Sequence, residues 1–170
     1  MTRIRLTFHS MKVFCETGNG GRSNKTWSPS QVWRPSGVVC LKDAVFVKDM
    51  HCIQEFDRDG NFRRSFGQDD LHEPYGLVAN KYGHLITIDI DEGKKPHLCI
   101  FDEIGSLLHR RPLKALTDPK LVVELGVDVR RSACRFIGVY ADLVYVVDLR
   151  LNNVFVCDFD GGGLFYSHHS

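Results

Sequence analysis

The sequence predicts an all-β protein built from repeated units of four short strands. Three times, an apolar run rich in β-branched and aromatic residues ends in aspartate, at Asp49, Asp89 and Asp148. Each run is followed by a polar loop and by a second apolar run that ends near a glycine. Because such residues favour strands and glycine favours turns, both runs of each copy are predicted to be strands.

The chain has the size and composition of one globular domain. Its 170 residues allow a sizeable core, and they are 43% hydrophobic and 25% charged. There are 22 Lys and Arg residues against 21 Asp and Glu residues, which gives a formal net charge of +1. This near balance provides no general attraction to nucleic acid or acidic membranes, so such binding would need a local basic surface.

The first two units begin with the same signal. The segments Trp33–Gly37 and His72–Gly76 both contain Pro-x-Gly, and their prolines lie 39 residues apart. The glycines that close the units, Gly60 and Gly105, lie 45 residues apart. The extra residues fall in the segment 91–96, so the sequence predicts an insertion in one loop that leaves the strands intact.

Within the second unit, each predicted strand is bounded by turn residues. The strands are predicted at Gly76–Ala79, Leu85–Asp89, Leu98–Asp102 and Leu107–His109, with turns at Asn80–Gly83 and Glu103–Gly105. The one candidate helix, residues 112–125, is broken by Pro119. The third unit fits well over residues 144–161, and either Leu121–Leu125 or Phe136–Val139 could be its opening strand.

Four short strands in about 40 residues, repeated along the chain, are typical of β-propeller blades. One such sheet cannot cover its own apolar face, so neighbouring blades must stack. Residues 1–32 are predicted to hold part of a first blade, at Met11–Cys15, and a Gly/Ser-rich loop. Residues 33–170 are predicted to hold the blades, at about 33–71, 72–112 and 113–166.

The repeated unit resembles the NHL repeat. The matching segments are Pro35–Gly37, Val47–Asp49, Ile53–Phe56 and Asp59-Gly60 in the first unit, Pro74–Gly76, Ile88-Asp89, Ile100–Asp102 and Gly105 in the second, and Val147-Asp148, Val154–Val156 and Asp160-Gly161 in the third. The third unit lacks the opening Pro-x-Gly. The resemblance covers roughly residues 33–109 and 137–166.

This resemblance implies a β-propeller, usually of six blades, which would need roughly 240 residues. The chain has room for three to four blades, so an incomplete propeller is expected, and its open strand edges would favour self-association. Similar NHL propellers form the C-terminal domains of tripartite-motif and RING ubiquitin ligases, where they bind protein substrates or RNA. The cysteine spacing here matches neither a RING nor a B-box, so any ligase link would need further sequence.

The three recurrent aspartates, Asp49, Asp89 and Asp148, are candidates for metal ligands or general bases. A structural role explains them better, because a carboxylate at a strand end can accept hydrogen bonds from the amides of the following turn. A catalytic residue is needed only once, whereas these recur in every unit. They are therefore predicted to be structural strand-end residues.

Basic and histidine side chains concentrate in the loops after the second strands and between the units, which are expected to share one face. Such a rim suits contacts with a protein or with RNA phosphates, and histidine can stack on bases. The alternative is ordinary solvated loop charge, since Asp69, Asp70, Asp91 and Glu92 lie in the same loops. The candidate binding residues are His51, Lys94, Lys95, His97, Arg110, Arg111, Arg130, Arg131 and Arg150.

No catalytic or cofactor motif is present in the sequence. It contains no GxSxG, P-loop, GxGxxG or HExxH, and none of its six cysteines forms a CxxC pair. No metal site, cofactor or enzymatic activity is therefore expected. The absence of a signal-peptide pattern and of a run near the roughly 20 apolar residues of a membrane span favours a cytoplasmic protein without membrane contact.

The function expected from the sequence is a non-catalytic recognition module. Its repeated sheets would present a broad, loop-decorated surface to a protein partner, as the substrate-binding part of a ubiquitin-ligase-type protein. An RNA-binding propeller with a basic loop face is the first alternative. The resemblance also implies a second one, a metal-dependent propeller lyase or hydrolase with His51 and His97 near the central channel.

Overall fold

A computed structural model describes residues 32–114 and 133–166. Its strands form three four-stranded antiparallel sheets, which we call blades 1, 2 and 3, and each blade follows chain order. Blade 1 contains β1 (Pro35–Leu41), β2 (Ala44–Asp49), β3 (Cys52–Asp57) and β4 (Phe62–Phe66); blade 2 contains β5 (Glu73–Ala79), β6 (Leu85–Ile90), β7 (Pro96–Phe101) and β8 (Leu107–Pro112); blade 3 contains β9 (Cys134–Tyr140), β10 (Leu143–Asp148), β11 (Asn153–Cys157) and β12 (Gly163–Tyr166). The predicted all-β fold of consecutive four-stranded blades is confirmed.

The turn between the third and fourth strands explains why each unit closes on aspartate and glycine. In blade 2, the carboxylate of Asp102 accepts hydrogen bonds from the amides of Ile104 and Ser106, at 3.1 and 2.7 Å. Gly105 has a φ of 87°, a left-handed conformation that glycine adopts without a Cβ penalty. The same Asp-to-Gly turn recurs in the other two blades.

The hydrophobic core lies between the blades. Blade 1 contributes Phe46 and Phe66 to a cluster with Phe101 and other buried residues of blade 2, and the Phe66 and Phe101 ring centroids are 5.8 Å apart. A second cluster joins Ile88 of blade 2 to Val146 of blade 3. Each blade therefore buries its apolar face against the next blade, as the repeat predicts.

The first strands of the blades, β1, β5 and β9, pack beside one another, and glycine makes this possible. A Cβ at Gly37 would lie 2.6 Å from the amide nitrogen of Leu77 on β5. A Cβ at Gly76 would lie 2.7 Å from Cγ2 of Ile137 on β9, and its φ is 63°. The glycine of Pro-x-Gly is thus the contact point for the next blade, and the third unit has the 59% exposed Phe136 there.

The structure resolves part of the ambiguity in the third unit. Strand β9 contains the segment 136–139, whereas the alternative opening strand at 121–125 lies outside the described residues. The predicted partial first blade, including residues 11–15, also lies outside them.

Strand β5 begins at Glu73, three residues before the predicted start, because Pro74 can pair with Asp89 without donating a hydrogen bond to the ladder. No helix within the described ranges is long and apolar enough to span a membrane.

The five described cysteines differ in accessibility. Cys99 and Cys157 are fully buried, and burial raises the pKa of each thiol to about 12. Cys40 and Cys52 are only half-buried. The thiolate is the reactive form, so the two buried thiols should be inert in the folded protein.

We therefore expect iodoacetamide at pH 8 to alkylate Cys52 at least tenfold faster than Cys99 and Cys157, as measured by peptide mass spectrometry. In urea the three rates should become similar, because burial no longer suppresses ionisation. Equal rates in the folded protein would contradict the burial of β7 and β11 between the blades.

Candidate binding face

One face of the stacked blades collects the segments that lead into each blade and the loops that follow each second strand. Strand pairing fixes this arrangement, because Asp49 pairs with Pro35, Asp89 with Pro74, and Asp148 with Cys134. The ends of the second strands therefore lie beside the beginnings of the first strands. We call this surface the loop face; it comprises residues 33–34, 50–51, 72–73, 91–97 and 149–152.

The aspartates of blades 1 and 2 hold the segment that leads into their own blade. Asp49 accepts hydrogen bonds from the amides of Trp33 and Arg34, and Asp89 accepts them from the amides of His72 and Glu73, both at 2.8 Å. The sequence predicted the amides of the following turn as partners instead. The difference arises because each aspartate is paired with the proline of its first strand, so the amides of the two residues before that proline lie next to the carboxylate.

The aspartate of blade 3 binds both the segment that leads into its blade and the turn that follows its strand. Asp148 accepts hydrogen bonds from the amide of Ala133, at 2.8 Å, and from the amides of Arg150 and Leu151 in the following turn, both at 2.9 Å. It is fully buried, as is Asp89. The arrangement fixes the loops in place and leaves these carboxylates engaged with the backbone.

Arg110 was a candidate partner-binding residue, but its position indicates a role inside the fold. Its Nη2 lies 2.7 Å from Asp89 Oδ2, and its Nη1 donates to the carbonyl oxygen of Asp70 at 2.7 Å. Hydrogen bonding to Asp89 and its negative charge raise the pKa of Arg110 against the opposing effect of burial. The guanidinium neutralises the buried carboxylate, so it is not free to bind a ligand.

Three other candidate residues also have partners within the loop face. Lys94 Nζ lies 3.3 Å from Glu73 Oε2, and His97 Nδ1 lies 3.0 Å from the carbonyl oxygen of Lys95. His51 Nδ1 contacts the carbonyl oxygen of His72. These contacts brace the loops against each other and reduce the positive charge offered to a ligand.

The remaining basic candidates are either exposed or outside the described residues. Lys95, Arg111 and Arg150 are exposed, and no carboxylate among residues 32–114 and 133–166 lies within ion-pair distance of them. Arg130 and Arg131 lie outside the described residues.

Exposed apolar side chains on the loop face were missed by the sequence analysis. Trp33 is 77% exposed, Leu149 is 56% exposed and Met50 is 40% exposed. A signal was available, because Met50 and Leu149 each follow a recurrent aspartate directly and Trp33 precedes the Pro-x-Gly of its unit. The analysis considered the charged residues of these loops and overlooked the apolar ones.

A cluster of two cations and one aromatic ring was also missed, at the inner edge of the loop face. Lys48 Nζ, from blade 1, lies 5.5 Å from the centroid of the Tyr75 ring, and Arg135 Cζ, from blade 3, lies 3.9 Å from the same centroid. The Tyr75 hydroxyl donates a hydrogen bond to Glu73. Burial lowers the pKa of Lys48 to about 8, partly offset by the charge of Asp49.

Among the described residues, no group of three or more His, Cys, Asp and Glu side chains is arranged to hold a metal ion. His51 and His97, the histidines considered for such a site, instead contact backbone carbonyls.

The sequence is similar over part of its length to the Drosophila melanogaster protein brain tumor, an NHL-repeat protein. The two are 28% identical over 112 residues, which is 60% of this chain and 10% of that protein. No family model matches the sequence. The chain therefore spans about a tenth of the length of this relative, and the relative's activity is not transferred to it.

Two solved structures resemble the fold. A chain from a nidogen/laminin complex gives a TM-score of 0.65 at 16% identity, over 95% of this chain and 56% of that one. A Bacteroides caccae protein of unknown function gives a TM-score of 0.64 at 11% identity, over 92% of this chain and 53% of that one. These likenesses concern the fold alone; the first is to a β-propeller, so the blades described here form part of a propeller.

Proposed function

We propose that the chain is a non-catalytic recognition module whose loop face binds a protein partner. The observation that carries the proposal is the group of exposed apolar side chains on that face, Trp33, Met50 and Leu149. Aromatic residues and Met are enriched in protein interfaces, and large exposed aromatics often dominate the binding energy. The partial similarity to an NHL-repeat protein supports a general role in protein interaction.

The construction of the loop face supports the same proposal. Asp49, Asp89 and Asp148 tie the loops to the blades through hydrogen bonds to backbone amides. A surface that is already ordered loses less conformational entropy on binding than a flexible one. The blades thus act as a rigid support for loops of variable sequence, which is a common arrangement of binding sites.

The finer role that we propose is the substrate-binding part of a ubiquitin-ligase-type protein acting in the cytoplasm. It rests on the resemblance of the repeat to the NHL domains of tripartite-motif ligases. A RING domain would have to come from other sequence or another chain. Ubiquitination of the bound partner that depends on the loop face, in a reaction supplied with the cognate RING protein, would test this role.

A binding experiment with matched variants tests the general function. We expect Trp33→Ala to weaken a partner isolated with the wild-type chain at least tenfold, because an interfacial tryptophan is a typical hot spot. The control is Tyr82→Ala, since Tyr82 is 67% exposed but lies in the turn between β5 and β6 on the opposite face. Calorimetric titration would measure both, and equal losses in the two variants would contradict the proposal.

RNA binding is the second candidate, favoured by Lys95, Arg111 and Arg150 on and beside the loop face, which are exposed and form no ion pair with a described residue. It requires an affinity for single-stranded RNA that falls steeply with salt and drops on Lys95→Glu or Arg150→Glu. RNA binding with these properties, unaffected by Trp33→Ala, would replace protein binding as the function. Weak binding that is insensitive to both charge reversals would exclude RNA.

A further inference from the structure

Lys48 departs from the repeat at a position that is apolar in the other blades. The residue just before the recurrent aspartate is Ile88 in blade 2 and Val147 in blade 3, but a lysine in blade 1. Lys48 is nevertheless only 5% exposed. A buried charge is costly unless it is paired, and such violations of a local rule are often found at functional sites.

The ammonium of Lys48 forms no ion pair with a carboxylate in the described part of the chain. It lies 5.5 Å from the centroid of the Tyr75 ring. Its neighbour Asp49 is occupied by backbone amides and by Gln54. An unpaired cation in this position is an incomplete site for an anion.

Arg135 supplies a second cation at the same ring. Tyr75 follows the residue paired with Asp89 and is the variable residue of Pro-x-Gly in its unit. Arg135 follows the residue paired with Asp148 and so occupies the equivalent position in the third unit, which has no Pro-x-Gly. Both side chains are half-buried, so the ring and the Arg135 guanidinium can be reached from the inner edge of the loop face. Three blades thus each contribute one side chain to a single cluster.

We propose that Lys48, Tyr75 and Arg135 form a carboxylate-binding site that accepts an Asp or Glu side chain of the protein partner. The proposal rests on the proposed function and names the chemistry that the partner brings. Arginine binds carboxylates through paired hydrogen bonds, and the buried ammonium adds a point charge.

The neighbouring charges favour a single carboxylate over a phosphate backbone. Lys48 is influenced by Arg34, Asp49, Cys52 and Glu73, and Glu73 also accepts hydrogen bonds from Tyr75 and Lys94. The two acidic groups offset much of the positive charge around the cluster. The remaining excess suits one monoanion, whereas a chain of phosphates would be repelled by Glu73 and Asp49.

Binding at this site should depend on pH. Because burial lowers the pKa of Lys48 to about 8, the ammonium loses its proton above that pH and the attraction for a carboxylate weakens. A bound carboxylate stabilises the protonated form and raises the pKa of Lys48 toward its ordinary value of 10.5. The affinity should therefore be constant between about pH 6 and pH 7, where the carboxylate is ionised and Lys48 is protonated, and fall by up to tenfold per pH unit above pH 8.

The test uses the full chain with ¹³C-dimethylated lysines, titrated with a hexaglutamate peptide and, separately, with inorganic phosphate. We expect the peptide to shift the Lys48 resonance and raise its pKa, and Lys48→Met to weaken the peptide at least tenfold. Lys42→Met is the control, because Lys42 is exposed on the opposite face and pairs with Glu103 at 2.6 Å. Equal losses in both variants, no shift of Lys48, or tighter binding of phosphate than of peptide would overturn the proposal.

A stability measurement keeps the test independent of binding. Lys48→Met should raise the melting temperature at pH 7 by about 3–6 °C, because it removes a buried unpaired charge at similar volume. The gain should shrink between pH 8 and pH 10.5, since the folded pKa of Lys48 lies below the unfolded one and the folded protein loses its proton first. A lower melting temperature would show that the lysine stabilises the fold and would overturn the site. Trp33→Ala distinguishes the carboxylate site from the proposed function. If this variant no longer binds the partner but still binds the peptide, the two proposals have been tested separately.

Discussion

Asp89→Ala is expected to lower the free energy of unfolding by about 3–5 kcal/mol. Asp89 is fully buried and accepts hydrogen bonds from the amides of His72 and Glu73, both at 2.8 Å. It also pairs with Arg110, whose Nη2 lies 2.7 Å from it. Its removal leaves two amide donors and one partly buried guanidinium without their anion, and each of these groups loses a partner that water replaces only in part. Urea denaturation followed by tryptophan fluorescence would measure the change.

A second variant separates the ion pair from the amide hydrogen bonds. In Asp89→Ala/Arg110→Leu the unpaired guanidinium is gone, so the double variant should be less destabilised than the sum of the two single variants by at least about 1 kcal/mol. Asp49→Ala is the matched comparison, because Asp49 holds the equivalent amides and forms no ion pair with an arginine of the described segments. Its cost should be about 1–3 kcal/mol. Equal costs for Asp49→Ala and Asp89→Ala would show that the arginine pair contributes nothing.

The repeated pattern of the sequence was sufficient to predict the blades. Strand β6, Leu85–Ile90, and its counterparts β2 and β10 are β-branched and aromatic runs bounded by turn residues, so propensity and spacing point to the same structure. The Asp-to-Gly turns fixed the hairpin ends, because a residue with positive φ is required there and glycine is the least costly one. Local sequence and tertiary packing agree in these elements except at the buried Lys48 of β2.

The partners of the recurrent aspartates could not be predicted in the same way. The sequence places Asp49 and Asp89 at strand ends, but the amides they bind lie 15–17 residues earlier in the chain. Only the register of the first strand against the second brings them together. Register depends on where the bulges fall, such as the one between Pro35 and Gly37, and these were not visible in the hydrophobic pattern.

The sequence could not show which charged side chains of the loop face are used within the protein. The loops after the second strands do share one face, yet most of their basic side chains are used within the protein, as Arg110 and Lys94 show. Charge is easy to read in a sequence, whereas pairing and exposure depend on contacts between blades. The burial of Lys48 beside Tyr75 and Arg135 comes from three different blades, so no local signal could reveal it.

Gly37→Ala is expected to lower the free energy of unfolding by about 3 kcal/mol or more, because backbone blocks the space that a methyl group would need. The added Cβ would lie 2.6 Å from the amide nitrogen of Leu77 and 2.8 Å from the carbonyl carbon of Gly76. Those atoms belong to β5 and cannot rotate away as a side chain could. Blades 1 and 2 would have to separate at their first strands, β1 and β5, which would open the cluster around Phe66 and Phe101.

Two other glycines provide controls that isolate this contact. Gly83 has a φ of 85° and open space around its Cβ position, so Gly83→Ala should cost about 1–2 kcal/mol from backbone strain alone. Gly138 lies in β9, also a first strand, with open space and no left-handed φ. Gly138→Ala should be neutral or stabilising by about 0.5 kcal/mol, because alanine restricts the unfolded chain.

The order of these three variants tests how the blades are joined. If the close approach of β1 to β5 holds the blades together, Gly37→Ala must be the most destabilising, followed by Gly83→Ala and then Gly138→Ala. Gly37→Ala should also broaden the methyl resonances of Leu77 and of the residues packed against Phe46 at the blade interface. Gly83→Ala should leave these resonances unchanged. A Gly37→Ala variant as stable as Gly138→Ala would mean that β1 and β5 do not touch. It would also contradict the stacking of the blades on which the loop face depends.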